Sequence, residues 1–403
     1  MTESARTAGR GGLFAEPDFR RLWCVGLVTF VVRWLETLAT SLFVYDATGS
    51  AFLVAMLTML RLLPMGLLGA PLGAWAERVE PRTALLAVVL SSLLASLALA
   101  LLAWAGLLAV WHLALASLLN GLAWAADNPV RRLAIGQVVG AARMGRAMSM
   151  DVAASNASRM LGPLLGGVLF AATGVAGAFA LSAALYLLAL AATLRLRHRR
   201  GRSVAPAGGV LARVAEGLAV VRRDARLKGT LIVTVIFNIW GWPFTSLVPV
   251  IGQEHLRLGP EAIGLLAGME GVGALAGALL IALLVPARLY GPCYIGGIAL
   301  YLVMLTAFAL SPHPVPAGAA LLLVGFGGAG FSTMQATLVY LAAPPEMRSR
   351  VLGLLSVCIG VGPVGFLHIG LLAEAIGAPR ACAVSGIEGL LALALTRRYW
   401  RAI

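Results

Sequence analysis

The chain has 403 residues, 60% of them hydrophobic and only 12% charged, about half the charged fraction of roughly 25% in a soluble domain. A mean hydropathy of +0.91 calls for lipid as solvent and sets soluble enzymes aside. The formal charge of +14 would suit a nucleic-acid binder, but the basic residues lie in short runs between apolar stretches, so no nucleic-acid partner is expected.

Residues 1–18 are polar and rich in Gly and Arg, without the apolar core of a cleavable signal peptide; a cytoplasmic tail is expected. Crossing a hydrocarbon core of roughly 30 Å takes about 20 mostly apolar residues. On that measure the first span covers 22–44 and carries Arg33 and Glu36, which share one helix face. The second, 51–75, carries Arg61, and the loop Gly73-Ala-Trp-Ala-Glu-Arg-Val-Glu-Pro-Arg82 leads to 83–104. The fourth, 107–127, ends at Asp127. The fifth, 147–171, aligns Asp151, Ser155, Arg159 and Gly162 on one face, followed by Pro163, Gly166 and Gly167; the sixth is 175–194. Proline removes a backbone donor and is expected to kink the fifth helix.

The longest polar stretch, 196–228, is a cytoplasmic linker in which Leu211–Val221 has amphipathic helical spacing. Six more spans follow: 229–251 with Asn238, Trp240 and Trp242; 262–285 with Glu270; 289–310; 315–341 with Gln335; 351–374 with His368; and 379–396 with Glu388. Residues 397–403 form a second cytoplasmic tail. Twelve spans put both termini on one side. Of 31 basic residues, Arg33, Arg61 and Arg159 fall inside spans, Arg257 and Arg380 lie in loops on one side, and the other 26 lie on the side of the termini. The positive-inside rule makes that side cytoplasmic.

The two halves echo each other at an offset of about 200 residues. Gly162-Pro163 recurs as Gly362-Pro363, Met144-Gly-Arg146 as Met347-Arg-Ser-Arg350, and Asp18-Phe-Arg20 as Asp224-Ala-Arg226. Repeated halves place a substrate site between them near the bilayer midplane. The expected fold class is therefore an all-α membrane protein with two pseudo-symmetric six-helix bundles, 19–195 and 229–396.

These residues resemble the major facilitator superfamily, most closely its drug-efflux and enterobactin-exporter branch, over nearly the whole chain. The resemblance rests on Phe19-Arg-Arg-Leu-Trp23, Thr48-Gly-Ser50, Arg61-Leu-Leu-Pro64, Asn128-Pro-Val-Arg-Arg132, Gly162-Pro-Leu-Leu-Gly-Gly167 and the 73–82 loop. In that loop Glu77 stands where an aspartate is usual and Pro81 where an arginine is usual, while Gly73, Arg78 and Arg82 match. Gly73 allows a tight turn, and the resemblance implies a gating latch of Gly73, Glu77, Arg78 and Arg82, with Asp127 as a partner for Arg78 or Arg82. It further implies a pivot at Gly162, Pro163, Gly166 and Gly167 of the kind found in antiporters.

A charge at mid-membrane costs roughly 2.5–3.5 kcal/mol on insertion scales and marks a candidate functional residue. Arg33, Arg61, Arg159, Glu270 and Glu388 fall near mid-depth, with Glu36 one turn outward from Arg33. Three arginines balancing three glutamates are expected to form one wet cluster between the halves, joined by Asn238, Gln335 and His368. Most tryptophans, including Trp34 and Trp124, read as interface anchors; Trp240 and Trp242 are candidates for substrate contact. Cys24, Cys293, Cys358 and Cys382 are scattered, so neither a disulfide nor a metal framework is expected. No Walker motif, catalytic group or cofactor site is present in the sequence.

The expected function is export of a small amphipathic molecule, drug or siderophore-like and anionic at least in part, across the inner cell membrane by alternating access, in exchange for protons. Uptake, or movement of lipid between leaflets, suits the same architecture; a non-transporting sensor would need a signalling domain that the residues do not offer. Partners are the substrate, protons and the bilayer; a periplasmic or outer-membrane efflux component would fit such a function, although no residue points to one.

Overall fold

The computed structural model describes residues 12–76, 79–197 and 210–403. Among these residues every regular element is helical. Helix α1 (Pro17–Thr48) opens with proline in its first turn, where the missing N–H removes a donor that would have no intrahelical partner. It closes at Gly49, whose φ of 65° lets the backbone reverse and its N–H cap the Tyr45 carbonyl. Helix α2 (Ala51–Ala76) runs past Gly73, so that glycine is helical and not the tight turn expected of it. Helices α3 (Pro81–Trp104) and α4 (Val110–Val139) follow.

Helix α5 (Ala141–Leu194) is 54 residues long and departs from helical dihedrals only at Gly174, with φ 68° and ψ −169°. A side chain is strained in that region, so glycine fits the kink. Helical dihedrals continue through Pro163. Pro163 still cannot donate to the Arg159 carbonyl four residues back, and Gly271 lies against that carbonyl: an added Cβ would meet it at 2.9 Å.

Helix α6 (Val210–Arg223) lies in the linker and packs on α11 (Arg348–Ile359), with Arg350 Nε 2.8 Å from Glu216 Oε2. Segment α7 (Ala225–His255) is irregular, passing through a π turn at Phe237–Gly241 and a 3₁₀ turn at Trp242–Ser246. Pro243 lies inside this stretch and supplies no donor, which accounts for the change of helical pitch. Helices α8 (Pro260–Leu284), α9 (Tyr290–Ala309) and α10 (Pro314–Ala342) follow, then α12 (Gly362–Ile376), α13 (Ala378–Leu395) and the short α14 (Arg397–Trp400). Gly362-Pro363 begins α12 after a break at Gly360-Val361, whereas its counterpart Gly162-Pro163 sits inside a continuous helix.

Among the described residues ten segments are long and apolar enough to cross a membrane. One of them, Arg143–Leu194, has 52 residues and folds at Gly174, so it supplies two crossings. Helix α4 is 30 residues long but carries Asn120, Asp127, Arg131 and Arg132, which lower its hydropathy. With it the crossings number twelve. The packing is inside-out relative to a soluble protein: α3 turns Leu90, Leu94, Leu97 and Leu101 outward while burying Ser92 and Ser96. Lipid solvates the leucines, and neighbouring helices satisfy the hydroxyls.

Helices α1 to α5 pack on one another, as do α7 to α13, and the halves meet along α5 with α8 and α2 with α12. Small residues permit those approaches. A Cβ on Gly167 would lie 2.9 Å from the Gly264 Cα, and one on Gly66 would lie 2.7 Å from the Gly360 carbonyl oxygen.

Candidate functional site

A cavity of about 380 Å³ lies where the halves meet. Its first wall takes Arg33, Trp34 and Thr37 from α1, and Thr58, Arg61, Leu62 and Met65 from α2. The spacing on α2 is one helical stripe, and α10 repeats it with Gly328, Phe331, Ser332 and Gln335. Trp124 of α4 and Ser155, Asn156 and Arg159 of α5 complete that side. The opposite wall is aromatic and amide-bearing: Phe237, Asn238, Trp242, Tyr301, Phe331, Gln335 and Phe366. The altered pitch of α7 brings Phe237, Asn238, Trp242, Thr245 and Ser246 to the same space.

The three arginines line the cavity but differ in partners. Arg61 donates from Nη1 to Thr37 Oγ1 at 2.8 Å, with Nη2 3.8 Å from Glu36 Oε2. Arg159 pairs with Glu270 of α8 across the boundary between halves. Arg33 lies 4.1 Å from the Trp124 ring centroid and 5.3 Å from that of Phe30, and its buried Nη2 makes no hydrogen bond. Among the described residues no carboxylate lies within ion-pair distance of Arg33. The expected balance of three arginines by three glutamates is therefore corrected: two carboxylates face three guanidinium groups.

Glu36 is 1% exposed, behind Arg61 and off the cavity surface, accepting hydrogen bonds from Ser96 Oγ at 2.6 Å and Asn120 Nδ2 at 3.1 Å. Glu388 does not join the cluster at all. It lies 2.7 Å from His368 Nε2 and accepts from Trp240 Nε1 at 3.0 Å, outside the cavity wall. Trp240 is thereby engaged elsewhere, while Trp242 lines the cavity. Asn238 donates to the Thr234 carbonyl at 2.8 Å and Gln335 to Thr234 Oγ1 at 3.1 Å. Both amides are held by α7.

The ring wall is the part that sequence reasoning missed. Phe237 and Phe331 stack at 3.8 Å, Tyr301 meets Phe237 at 4.8 Å, and Phe366 meets Trp242 at 5.8 Å. The Tyr301 hydroxyl is buried without a hydrogen-bond partner. Trp34 and Trp124, expected as interface anchors, line the cavity instead; Trp34 follows Arg33 directly and Trp124 faces it, which a helical wheel for α1 could have flagged for Trp34 alone.

The family model described as transmembrane secretion effector, within the major facilitator group, matches residues 12–400. The chain belongs to this family. Macrolide efflux protein A of Streptococcus pyogenes is 20% identical over 376 residues, covering 91% of this chain and 92% of that protein. The staphyloferrin A transporter of Staphylococcus aureus is 20% identical over 370 residues, covering 89% and 90%. Among solved structures, the nucleoside transporter NupG superposes with a TM-score of 0.77 at 13% identity, covering 95% of this chain and 99% of that one. A bacterial homolog of the lysosomal transporter Spinster, inward-facing and unoccupied, superposes at 0.71 with 14% identity and covers 95% of each chain. The protein is thus a multi-pass membrane transporter of the major facilitator fold and not an enzyme.

In this transporter the residues of the expected gating loop are only partly visible: Glu77 and Arg78 lie outside the described residues. Arg82 donates from Nη2 to the Leu194 carbonyl at 2.7 Å. Asp127 accepts from Arg131 Nε at 3.2 Å, fully buried, and Arg131 also pairs with Asp151. Asp127, expected to partner Arg78 or Arg82, thus pairs inside α4 with Arg131, which reaches α5, and Arg82 turns to the Leu194 carbonyl instead. Of the Gly-Pro motif, Gly162 packs on α1, where a Cβ would lie 2.8 Å from the Val31 carbonyl, and Gly166 packs on Leu35 of the same helix. Gly167 instead faces α8 across the boundary, and the Pro163 carbonyl faces Gly264 there. At the end away from the termini, Tyr45 donates to Glu254 at 3.0 Å, Gln253 to Asp46, and Ser50 to Glu374 at 3.3 Å, each joining the two halves.

Proposed function

We propose that this transporter exports a small amphipathic molecule with an anionic group, drug or siderophore-like, by alternating access and in exchange for protons. The observation that carries the reading is the pair of unlike walls: guanidinium groups on the first half and stacked rings on the second. A cargo with an acidic end and a planar apolar body matches both. Among the described residues that line the cavity, Arg33 is the cation without a carboxylate, and a ligand anion would complete its hydrogen bonding. The relative named for macrolide efflux supports export, and the one named for staphyloferrin A supports a siderophore-like cargo.

The Arg159–Glu270 pair supports exchange. Rocking of the halves would part it and leave two unpaired charges in a low-dielectric interior, which is costly. A proton on Glu270 lessens that cost in one parted state, and an anionic cargo at Arg159 lessens it in the other, so each crossing carries one of the two. In this reading the terminus-bearing end faces the cytoplasm, which the distribution of basic residues supports; the Gly162–Gly167 face is the pivot, and 73–82 forms the inner gate.

The test is accumulation of fluorescent acidic and basic amphiphiles in everted membrane vesicles, with and without an uncoupler. Uptake of the acidic probes that collapses with the proton gradient is expected. Accumulation that ignores the gradient would remove the exchange step, and a preference for basic probes would remove the assignment of Arg33.

A further inference from the structure

A second concave site lies far from the central cavity, at the terminus-bearing end of the first half. The starts of α1 and α3 and the end of α5 converge on an open space of about 540 Å³ lined by Arg21, Arg82, Leu194, Arg195, Leu196 and Arg197. Four guanidinium groups meet there. The carboxylate beside them, Asp18, accepts from Arg21 Nη1 at 2.6 Å and from the Arg197 backbone N–H at 3.3 Å. Among the described residues lining the space, four are arginines and none is acidic. Arg82 points Nη2 at the Leu194 carbonyl, and its Nε is buried with no hydrogen-bond partner.

The position relative to lipid narrows the ligand. Leu194 is 52% exposed at the last residue of a membrane-crossing helix, and Arg195 and Arg197 follow at once. The same two helices turn leucines outward above the site, Leu90 and Leu94 on α3 and Leu187 and Leu188 on α5. The site thus has a cationic floor at the level where hydrocarbon gives way to headgroups, and an apolar flank rising from it. Guanidinium forks match phosphate oxygens in pairs. A free phosphate would use the floor and leave the flank idle; a phospholipid uses both.

We propose that this pocket holds the phosphate of an anionic phospholipid, with the acyl chains laid along the outward leucines of α3 and α5. Bound there, the lipid ties the start of α3 to the end of α5 and anchors the first half against the leaflet while the second half moves. The site lies apart from the cargo cavity and shares Arg82 with the 73–82 loop.

Native mass spectrometry of the full-length detergent-purified chain tests this, using phosphatidylglycerol and phosphatidylcholine with identical acyl chains and inorganic phosphate as a third arm. Preferential retention of one phosphatidylglycerol is expected. Each surface cation contributes about 1 kcal/mol toward an anionic lipid, so Arg195→Ala with Arg197→Ala should weaken that preference on the order of thirty-fold. Arg222→Ala with Arg223→Ala, which removes two exposed cations from α6, should leave it unchanged. Equal retention of both lipids by the unmodified chain overturns the proposal. So does an equal loss from the α6 pair, which would reduce the effect to general charge. Displacement of phosphatidylglycerol by inorganic phosphate, with no contribution from acyl chains, would assign the pocket to a free anion instead.

Discussion

Arg159 on α5 and Glu270 on α8 form an ion pair that spans the boundary between the halves, with side-chain exposures of 23% and 10%. Each residue is backed by its own half: Arg159 lies 5.5 Å from the Trp34 ring, and Glu270 sits where α8 packs on Gly325 of α10. The pair is therefore a reporter of whether the halves are together at mid-depth.

Removing one partner should hurt more than removing both. Breaking a buried pair costs about 3–5 kcal/mol because a charge is stranded, and partial exposure puts this one near the lower end. Glu270→Gln and Arg159→Ala should each lower the unfolding temperature in detergent. The double change Arg159→Met with Glu270→Leu should recover much of the loss yet remain inactive in transport. Wild-type transport by the double variant would show that the pair is structural only.

The interior of Arg33 makes a different prediction. With ring contacts but no carboxylate, its replacement strands no partner, so Arg33→Gln should change stability little. Charge-assisted hydrogen bonds are worth about 1.5–3 kcal/mol, so the KM for an acidic cargo should rise about tenfold or more while that for a neutral analogue stays near its original value. A uniform rise for both cargoes would place Arg33 in packing rather than recognition.

Glu36 should behave as a scaffold for Arg61. Its oxygens take hydrogen bonds from Ser96 and Asn120, and a glutamine keeps one acceptor while losing the charge opposite Arg61. Glu36→Gln should therefore destabilise the first half, and adding Arg61→Met should restore part of the loss. The check is a double-mutant cycle by thermal unfolding; strictly additive effects would deny the coupling.

The sequence makes the number of crossings readable, because it depends only on apolar length. It does not make the pairing readable. Helices such as α8, α10 and α13 are apolar around most of their circumference, so residue spacing does not tell which way Glu270 or Glu388 points. The two glutamates have similar depth and small neighbours, yet one meets Arg159 and the other meets His368 on a separate face. The ring wall was hidden for a related reason: Phe331 and Tyr301 are ordinary in an apolar helix until α7 changes pitch and brings Phe237 against them. Gly174 was visible only as the gap between two spans, since its positive φ is a backbone property.

The three contacts at the end away from the termini should hold that end closed. Exposed pairs contribute about 0.2–1 kcal/mol each, so no single change is decisive. Combining Tyr45→Phe, Asp46→Ala and Ser50→Ala removes all three without touching the cavity. Distances between spin labels on the α1–α2 turn and on the loop after α7 should shift toward a more open population. An unchanged distribution would mean that the glycine contacts of α5 with α8 suffice by themselves.

Gly162 and Gly167 share one motif but should fail in different ways. A methyl at Gly162 meets the Val31 carbonyl of α1 inside the first half, so Gly162→Ala should lower stability, by about 1–3 kcal/mol for overpacking. A methyl at Gly167 meets Gly264 of α8 across the boundary, so it pushes apart two surfaces that can separate without unfolding. Gly167→Ala should leave the unfolding temperature nearly unchanged, favour the state in which α5 and α8 diverge, and slow turnover. Limited proteolysis and transport rate measured on the two variants check this contrast. Equal loss of stability at both positions would mean that the boundary is as rigid as the interior of a half, which a rocking mechanism does not allow.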